Sequence, residues 1–445
     1  MAAPLRALLA AAAIAALALA APAARTEITQ PQLLGVGPHP KLPAPEKTLV
    51  PTVNIASAIG WPPGAKPTPA AGLSVNAFAT GLDHPRWLYV LPNGDVLVAE
   101  TNAPERPQEH KGLRGWFVKQ TMKKAGAAGK SANRITLLRD SNGDGTADTR
   151  TVFLEGLNSP FGMALVGNDF YVATTDAVLR FPYRSGDTQI SEPGTKVVDL
   201  PAGPLNQHWT KSLLASRDGN RLFVGVGSNS NVGERGMEAE AGRAAIWEID
   251  PKSGRYKLHA TGLRNPVGMD WEPKTGALWV VVNERDELGN DLVPDYLTSV
   301  IEGGFYGWPW SYWGPIVDER VKPPRPEMVA KALKPDYALG AHVSALGLAF
   351  GDGLALGAPF NTGGAFIGEH GSWNRRPHSG YKVVFVPFAN GKPSDEPVDV
   401  LTGFLNPQGQ AQGRPVGVVF DKRGALLVAD DVGNVVWRVS AEPRR

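Results

Sequence analysis

The stretch GLRNPVGMDW (residues 262–271) decides the fold, because the chain repeats its pattern. GLDHPRWLYV begins at Gly81, GLNSPFGMAL begins at Gly156, and a shortened form, GRPVGVVF, begins at Gly413. Each copy leads into a short apolar run, a turn containing Gly or Asn, and a second apolar run. Asn-Gly, Asp-Gly and Lys-Thr-Gly turns favour hairpins, since Gly and Asn adopt positive φ at little steric cost. The repeated phrase therefore predicts the start of a recurring β unit.

Six hairpins of this kind follow one another, and most of them are followed by a third and a fourth strand candidate. Such repetition predicts an all-β fold, a six-bladed β-propeller of four-stranded antiparallel blades, which hides its sheet edges by radial repetition. The segment LSVNAFATG (residues 73–81) has no blade of its own. We expect it to pair with NVVWRVS (residues 434–440) in the last blade and so close the ring. The second strands of the six hairpins begin near Leu97, Phe170, Leu222, Leu278, Phe366 and Leu426.

The beginning of the chain is typical of an exported protein. Arg6 precedes the apolar run ALLAAAAIAALALAAPAA, which ends in small residues and is shorter than the ~20 residues of a membrane span. We therefore expect residues 1–24 to be a signal peptide, the alternative being an uncleaved membrane anchor, and the mature protein to be periplasmic or secreted. Residues 25–72 are rich in Pro, Gly and Ala, which predicts an extended or disordered arm. Ordered structure should start near Leu73, so that residues 73–445 form the propeller.

Composition excludes several classes of function. The 445 residues carry a net charge of only +2, which argues against nucleic acid as the main partner. The chain has no cysteine, which excludes disulfides, thiolate catalysis, iron–sulfur ligation and covalent c-type haem. If the protein performs redox chemistry, its electrons must therefore leave to a separate soluble or membrane carrier. Dinucleotide, Walker and Gly-x-Ser-x-Gly motifs are also absent from the sequence.

Three polar residues stand at or beside the start of an innermost strand: His208, Arg264 and Arg414. In a propeller, these positions converge on the mouth of the central channel. Histidine is the usual general base near neutral pH, and two arginines in one pocket favour a ligand with carboxylates. The alternatives are a structural histidine and an ion pair that lines the channel.

The acidic segment NERDELGND (residues 283–291) follows the second strand of the fourth unit. Its carboxylates and its turn-forming Gly289 and Asn290 suit a hard cation such as Ca²⁺, which prefers oxygen ligands. A solvated polar loop would have the same composition, so both interpretations remain open.

A second acidic segment, DSNGDGTAD (residues 140–148), resembles the start of a calcium-binding loop, with Gly145 at loop position 6. Position 12 is Thr151 and lacks the usual Glu, so a simple Asp/Gly turn explains the pattern equally well. The candidate ligands of a structural calcium ion are Asp140, Asn142, Asp144 and Asp148.

Two aromatic-rich segments complete the candidates. GEHGSWNRRPHSGYK (residues 368–382) places Trp373 beside Arg375, and such a pair could stack on and bind a flat anionic ligand or form an exposed basic loop. GGFYGWPWSYWG (residues 303–314) is too rich in Gly and Pro for a regular element and predicts a lid, a wall or a hydrophobic plug.

These motifs together resemble the soluble PQQ-dependent sugar dehydrogenases, a family of six-bladed propellers. The resemblance covers about residues 73–440 and rests on His208, GLRNPVG, the acidic loop at 283–291 and GGFYGWP. The motifs GSNSN, GEHGSWNR, GYKVVFVPF and GRPVGV followed by LLVADD are closer still to its L-sorbosone dehydrogenase branch.

The resemblance implies two cofactors, PQQ and Ca²⁺, and a role for each matching residue. His208 would take the proton of the substrate hydroxyl group, while Arg264 would lie against the quinone with Asn265 beside it. Arg414 matches an arginine that binds a cofactor carboxylate, and Arg375 falls near a lysine of the glucose enzymes. Trp373 would be part of the same cofactor site.

The resemblance places the cofactor calcium at backbone oxygens near Asp286 and Glu287, with Asp291 nearby. The chain departs from the family here, because the family has Gly-Pro where this chain has Asp286-Glu287. It departs again at Gln412, which matches the second of two neighbouring cofactor arginines.

The sequence therefore predicts an exported quinoprotein that oxidises an aldose or a sugar aldehyde such as sorbosone by hydride transfer to PQQ. Two alternatives remain open. A calcium-dependent propeller hydrolase, such as a lactonase, would use the same acidic loops without needing Arg264 and Arg414 together. A non-catalytic propeller that binds carbohydrate or protein would have a merely polar channel.

Overall fold

The computed structural model describes residues 35–46, 52–105, 124, 126 and 129–442. These residues fall within one compact unit, Leu34–Arg445. The expected signal peptide, residues 1–24, lies outside the described residues, and the domain boundaries taken from the sequence remain predictions.

The described residues form small antiparallel sheets arranged as six blades, and the prediction of an all-β six-bladed propeller is confirmed. Strands are given from the innermost outward. Blade one comprises Pro85–Val90, Val96–Glu100, Arg134–Arg139 and Thr149–Leu154. Blade two comprises Gly162–Val166, Asp169–Ala173, Ala177–Pro182 and Thr195–Asp199. Blade three comprises Lys211–Ala215, Leu222–Val226, Ala245–Ile249, Tyr256–Thr261 and a parallel outer strand, Gly304–Phe305.

The remaining three blades include strands from the amino-terminal part of the chain. Blade four comprises Pro266–Trp271, Leu278–Val282, Pro294–Ser299, Tyr337–Ala341 and Val36–Gly37. Blade five comprises Ala345–Gly351, Gly364–Glu369, Lys382–Ala389, Val398–Thr402 and Thr68–Pro69, with Lys392–Pro393 paired to the third strand. Blade six comprises Pro415–Phe420, Leu426–Asp430, Val435–Ala441 and Leu73–Ala79.

Short elements lie in loops that join strands within blades three, four and five. A two-stranded ribbon joins Ser311–Tyr312 to Ile316–Val317. An α-helix of one turn spans Pro326–Val329, and 3₁₀ turns span Met237–Glu240 and Phe360–Thr362.

The two ends of the propeller meet in blade six. Leu73–Ala79 pairs antiparallel with Val435–Ala441, so the outermost strand of the last blade comes from the start of the repeat region. The innermost strand of that blade, Pro415–Phe420, also contacts Pro85–Val90 of blade one. Six adjacent innermost strands therefore surround one axis.

The repeated Gly-Leu-x-x-Pro-x-Gly phrase has two structural causes. Gly262 follows the outer strand of blade three with φ of 74°, a conformation that residues with a side chain rarely adopt. Gly268 lies inside the innermost strand of blade four, where an added Cβ would be 2.6 Å from the backbone nitrogen of Leu348. The second glycine therefore permits close packing of neighbouring innermost strands.

An apolar cluster fills the axis of the propeller, and each of the six blades contributes one side chain to it. Phe161 packs between two tryptophans, with ring centroids 4.6 Å from Trp87 and 6.1 Å from Trp209. We call this cluster the axial plug. Its members, one from each blade in order, are Trp87, Phe161, Trp209, Val267, Leu346 and Val416.

The described part of the Pro-rich arm corrects the expectation that ordered structure starts near Leu73. Val36–Gly37 pairs with blade four, and Thr68–Pro69 pairs with blade five. Trp61 packs edge-on against Phe404 and Trp437 in the core of blades five and six. Proline prevents long regular strands in this segment, but two-residue strands and one partly buried tryptophan suffice to attach it.

Candidate functional site

One mouth of the channel collects the polar residues of several blades. The start of each innermost strand and the end of each second strand lie at this mouth, because the strands of a blade alternate in direction. Arg86 of blade one thus bonds to Asp431, which follows the second strand of blade six. Arg264 bonds in the same way to Asp286, which follows the second strand of blade four.

His208 is held by a backbone carbonyl. Its Nδ1 lies 2.8 Å from Ser228 O and 3.1 Å from Ser228 Oγ. Because a carbonyl oxygen can only accept, Nδ1 carries the hydrogen and Nε2 is the basic atom of the neutral ring. This tautomer is the one that can take a proton through Nε2.

His208 and Asn265 both occupy the space that a side chain at Gly227 would take. A Cβ on Gly227 would be 2.5 Å from His208 Cβ and 2.2 Å from Asn265 Oδ1. The motif GSNSN therefore begins with glycine because two predicted site residues occupy the space of its side chain. The structure brings these two residues together.

Arg264 is 2% exposed and fully hydrogen-bonded. Its Nη1 donates to Glu284 O at 2.6 Å, and its Nη2 donates to Asn231 Oδ1 at 3.0 Å. Nη2 also lies 3.1 Å from Asp286 Oδ2. The ion pair considered as an alternative from the sequence is thus present, and it joins the residue assigned to the quinone with a residue assigned to calcium.

Asp286 has further partners. Asn374 Nδ2 donates to its Oδ1 at 2.8 Å, and His342 Nδ1 lies 3.5 Å from the same oxygen. Burial alone would raise the pKa of Asp286, but His342 and Arg264 outweigh burial and lower it to about 2. Burial would lower the pKa of His342, but its contact with Asp286 raises that pKa. The carboxylate is therefore ionised at any physiological pH.

The other two predicted calcium residues do not join Asp286. Glu287 is exposed and adopts φ of 72°, a backbone conformation that proline, its counterpart in the family, cannot adopt. Asp291 Oδ1 accepts a hydrogen bond of 2.6 Å from Arg375 Nη2. The structure therefore brings Asp291 to Arg375, and Asp286 to Arg264, so each of these two carboxylates has an arginine partner.

Beneath this loop lies the aromatic segment at residues 303–314. Tyr306, Tyr312 and Trp313 are buried in one cluster with Leu288 of the acidic loop. Trp308 Nε1 donates to the Asn231 backbone oxygen at 2.9 Å. Of the three possibilities raised by the sequence, these contacts match the hydrophobic plug, which packs against the acidic loop through Leu288.

A second charged cluster surrounds Asp431, and the sequence analysis missed it. Its carboxylate accepts from Arg86 Nη1 at 2.7 Å and lies 2.9 Å from His370 Nε2 and 3.6 Å from His84 Nε2. Burial would raise the pKa of Asp431, but His370, His84 and Arg86 hold it well below its usual range. Burial lowers the pKa of His370 to about 4. Position along the chain could have indicated this cluster, because Asp431 and His370 each follow the second strand of a blade, as Asp286 does.

Arg414 reaches the same cluster from blade six. Its Nη2 donates to the Ala56 carbonyl of the arm at 3.3 Å, and its guanidinium lies 5.1 Å from the centroid of the Tyr381 ring. Its presence contributes to the lowered pKa values of His370 and His378, after the larger effect of burial. Arg414 is therefore positioned by the arm, which the sequence analysis placed outside the propeller.

The arm also holds the loop that carries Trp373 and Arg375. The Asn54 backbone donates to Trp373 O, and Asn54 Nδ2 donates to Arg375 O, each at 2.8 Å. Trp373 is 41% exposed, so its ring lies at the rim rather than inside the channel. Trp373 therefore differs from Arg264 and Asn265, the predicted cofactor residues with which it was grouped, because both of those are buried.

Six buried polar atoms around this mouth have no hydrogen-bond partner among the residues that the structure describes. Three are guanidinium nitrogens, one is a histidine nitrogen and two are amide oxygens. Buried polar groups are normally bonded, so such a concentration indicates a ligand site. The atoms are Nε of Arg86, Arg375 and Arg414, Nε2 of His84, and Oδ1 of Asn265 and Asn374.

The loop at residues 140–148 lies at the other end of the strands and is not part of this site. Asp140 accepts from the backbone of Gly143 at 2.7 Å and of Gly145 at 3.0 Å. Arg423 Nη1 lies 3.1 Å from Asp140 Oδ2 and donates to Gly143 O at 2.6 Å. A guanidinium from blade six thus supplies a positive charge to the loop, and calcium binding there remains a prediction.

One further group has a metal-like composition. Within the part of the chain that the structure describes, Glu248, His259 and Glu302 offer ligand atoms that lie within 4.8 Å of one another. This group belongs to the outer strands of blade three, and Lys257 lies 3.4 Å from Glu248 and also bonds to Glu302. The lysine already compensates the carboxylates, so the group is an ion-pair network distant from the channel.

None of the described residues forms a helix with the length and apolar character needed to cross a membrane.

Comparisons with known proteins identify the family. The chain is 25% identical over 426 residues to a PQQ-dependent sugar dehydrogenase of Hypocrea jecorina (strain QM6a), covering 82% of this chain and 87% of that protein. It is 30% identical over 292 residues to a PQQ-dependent pyranose dehydrogenase of Coprinopsis cinerea, covering 52% of this chain and 39% of that protein.

Among solved structures, a Trichoderma reesei protein of carbohydrate-active enzyme family AA12 superposes with a TM-score of 0.67 at 22% identity, covering 89% of this chain and 100% of that chain. This likeness shows the fold. The resemblance to the PQQ-dependent sugar dehydrogenases is confirmed by these comparisons, while the closeness to the L-sorbosone branch remains a prediction. A sequence model of a family described as TrAA12-like matches residues 127–295 and 327–442. The chain belongs to this TrAA12-like family.

Proposed function

We propose that this protein is an oxidoreductase that oxidises a sugar with PQQ and Ca²⁺ bound at the channel mouth. The observation that carries the proposal is the set of buried polar atoms without partners around Asp431 and Arg414. The names of the two relatives described above support the same activity.

The residues present fit PQQ. Three guanidinium groups, those of Arg86, Arg375 and Arg414, each have a buried Nε that lacks an acceptor among the described residues. PQQ carries three carboxylates, and guanidinium–carboxylate pairs are among the strongest hydrogen-bonded pairs in proteins. These arginines would bind the carboxylates, while the buried amide of Asn265 would face a donor.

The residues present also fit calcium. Asn374 Oδ1 is a buried oxygen without a donor, and Asn374 lies next to the Asp286 carboxylate. Amide, carboxylate and backbone oxygens are the ligands that Ca²⁺ prefers. We propose that the acidic loop holds this ion at Asp286, while Glu287, which is exposed, and Asp291, which pairs with Arg375, flank that position along the loop. The chain has Asp286-Glu287 where the family has Gly-Pro. Side-chain oxygens could therefore bind the ion where the family uses backbone oxygens.

His208 is the proposed general base. The carbonyl of Ser228 fixes the hydrogen on Nδ1, so Nε2 can accept the proton of a sugar hydroxyl group. Asn265 occupies, with His208, the space that a side chain at residue 227 would take. Bound PQQ supplies an electrophilic quinone, polarised by Ca²⁺, that accepts the two electrons removed from the sugar.

We propose that Arg264 maintains a positive electrostatic potential near the quinone. Its bonds to Asn231, Glu284 and Asp286 leave its guanidinium little freedom, so its charge is fixed in place. A fixed positive charge stabilises negative charge that develops nearby without further reorganisation.

His370 is a second candidate for the base, favoured by one observation. Its Nε2 lies 2.9 Å from the Asp431 carboxylate, the arrangement that orients an imidazole for proton transfer. Replacing His208 and His370 by alanine, one at a time, separates the two candidates.

We further propose that the substrate is an aldose or a sugar aldehyde such as sorbosone, that the protein is exported, and that a separate carrier receives the electrons. The motif GEHGSWNR and the leader-like residues 1–24 support the first two points. The absence of cysteine supports the third, since no haem can be attached through thioether bonds.

The decisive experiment adds PQQ and Ca²⁺ to the purified protein and follows the quinone absorbance and dye reduction with several sugars. We expect saturable binding of PQQ and a bleaching of its absorbance when sugar is added. Calcium-dependent opening of a lactone without PQQ would instead establish a hydrolase. Sugar binding with neither reaction would leave a non-catalytic propeller.

A further inference from the structure

A cavity of about 380 Å³ lies beside the channel mouth, at the junction of blades six and one. The arm contributes one wall, through Ala58 and Ile59. The segment before blade one contributes Asp83 and His84, and Asp431 links the cavity to the charged cluster described above. We call this space the junction cavity.

The walls of the junction cavity differ in chemistry. Ala58, Ile59 and Val432 form an apolar side, and the Ile59 side chain remains 48% exposed. Asp83 and Lys130 are among the polar groups on the other side. A sugar ring has the same division, because it presents C–H groups on its faces and hydroxyl groups around its rim. Apolar surface with a few well-placed polar groups is the usual composition of a small-molecule site.

One polar atom of the junction cavity is buried and lacks a partner. His84 Nε2 makes no hydrogen bond to the residues that the structure describes, and the nearest carboxylate oxygen, Oδ2 of Asp431, lies 3.6 Å away. Burial lowers the pKa of His84, so its ring is neutral at pH 7. A neutral ring nitrogen can donate to, or accept from, a hydroxyl group, which suits a polyol.

The charges of the junction cavity argue against an anion. Asp431 is already compensated by Arg86, so the remaining charges of the lining, those of Asp83 and Lys130, cancel. Such a lining offers an anion no net attraction, whereas the guanidinium groups of Arg375 and Arg414 do. The volume is at the small end of the range of about 300–1,000 Å³ that ligand pockets span, so one ring fits better than several.

We propose that the junction cavity is a subsite for one neutral sugar ring, with His84 and Asp83 binding its hydroxyl groups and Ile59 covering its C–H face. The inference rests on the proposed sugar oxidoreductase activity and specifies its substrate. The ring is either the one that is oxidised or its neighbour in a disaccharide.

The test uses the full-length protein loaded with PQQ and Ca²⁺ and two probes, D-glucose and cellobiose. We expect Asp83→Ala and Ile59→Ser each to raise KM about fivefold or more while kcat changes less than about twofold, since uniform binding is lost. A raised KM for both sugars would place the oxidised ring in the junction cavity. A raised KM for cellobiose alone would place the neighbouring ring there. An unchanged KM for both sugars in both variants would overturn the inference.

A second readout separates this inference from the proposed activity. Saturation-transfer NMR on the protein without PQQ measures sugar binding directly, and Asp83→Ala should reduce the signal of the bound ring. Glu192→Ala is the matched control, because Glu192 is an exposed carboxylate lining a different cavity, between blades one and two. Binding that depends on Asp83 in a protein that never reduces dye would sustain the subsite and refute the oxidoreductase.

Discussion

The Arg264 guanidinium lies 3.1 Å from the Asp286 carboxylate, and both residues donate to the same Asn231 side-chain oxygen. The family resemblance assigns one of these residues to an anionic quinone and the other to calcium. In the structure, the two charges compensate each other at the mouth of the channel. The pair is therefore a structural unit of the site in its own right.

Removing one member of this pair should destabilise the protein. Asp286→Ala leaves the buried Arg264 charge without its partner, and we expect the free energy of unfolding to fall by about 3 kcal/mol. Urea denaturation followed by tryptophan fluorescence measures this change. Asp399→Ala is the control, because Asp399 pairs with Lys382 on an exposed edge and should cost less than about 1 kcal/mol. The double variant Arg264→Met/Asp286→Ala should regain part of the loss; equal stability of single and double variants would contradict the account.

Glu284 should make the protein less stable as pH rises. Burial raises its pKa from 4.5 to about 7, so the folded state binds this proton more tightly than the unfolded chain does. The stability contribution is fully present below pH 4.5 and is lost as pH rises to about 7. Glu284→Gln removes this dependence, and we expect the variant to gain about 3 kcal/mol relative to the natural protein between pH 4 and pH 8.

Denaturation curves at several pH values test the Glu284 prediction. Glu192→Gln, on the exposed surface, serves as the control whose stability difference should not vary with pH. A Glu284→Gln difference that is flat across the same range would refute a protonated Glu284 in the folded protein.

The two candidate bases make different predictions. His208→Ala should lower kcat for dye reduction by at least about 100-fold while PQQ still binds, because proton transfer contributes about 10²–10⁴-fold. His39→Ala, on the exposed arm, is the matched control. Unchanged turnover in His208→Ala would remove His208 from the role of base. A complete loss confined to His370→Ala would transfer the role to His370.

Asn54 should contribute to cofactor binding from outside the blades. Its backbone and side chain hold the carbonyls of Trp373 and Arg375, so Asn54→Ala should loosen that loop and weaken PQQ binding about tenfold. Titration of PQQ absorbance in the presence of Ca²⁺ measures the affinity. Asn76→Ala is the control, because Asn76 Nδ2 also donates to a backbone carbonyl, that of Gly145, but in blade six. Equal affinities of the two variants would show that the arm does not position the cofactor residues.

The fold and part of the site could be predicted from the sequence because the repeated phrase specifies both. The counterparts of Gly268 are Gly162, Gly347 and Gly417, and at each of these glycines an added Cβ would meet the next innermost strand. Arg264 and His208 could be placed at the channel because their positions within the repeat specify a position in space.

The remainder depends on contacts that no repeat encodes. Asn54 meets Arg375 across 321 residues, and Arg423 meets Asp140 across 283 residues. Such contacts join segments whose local patterns look like linkers or turns. The pairing of Asp431 with Arg86 and His370 was missed for the same reason, although each of the three stands at the end or the start of a strand.

The axial plug has a consequence for the order of events during turnover. Because every blade contributes an apolar side chain to the axial plug, from Trp87 around to Val416, we expect small molecules to enter the channel from its polar mouth. A sugar and an electron acceptor that use the same mouth would then bind in turn, and the protein would remain reduced between the two. Steady-state rates measured against both would then give parallel double-reciprocal lines.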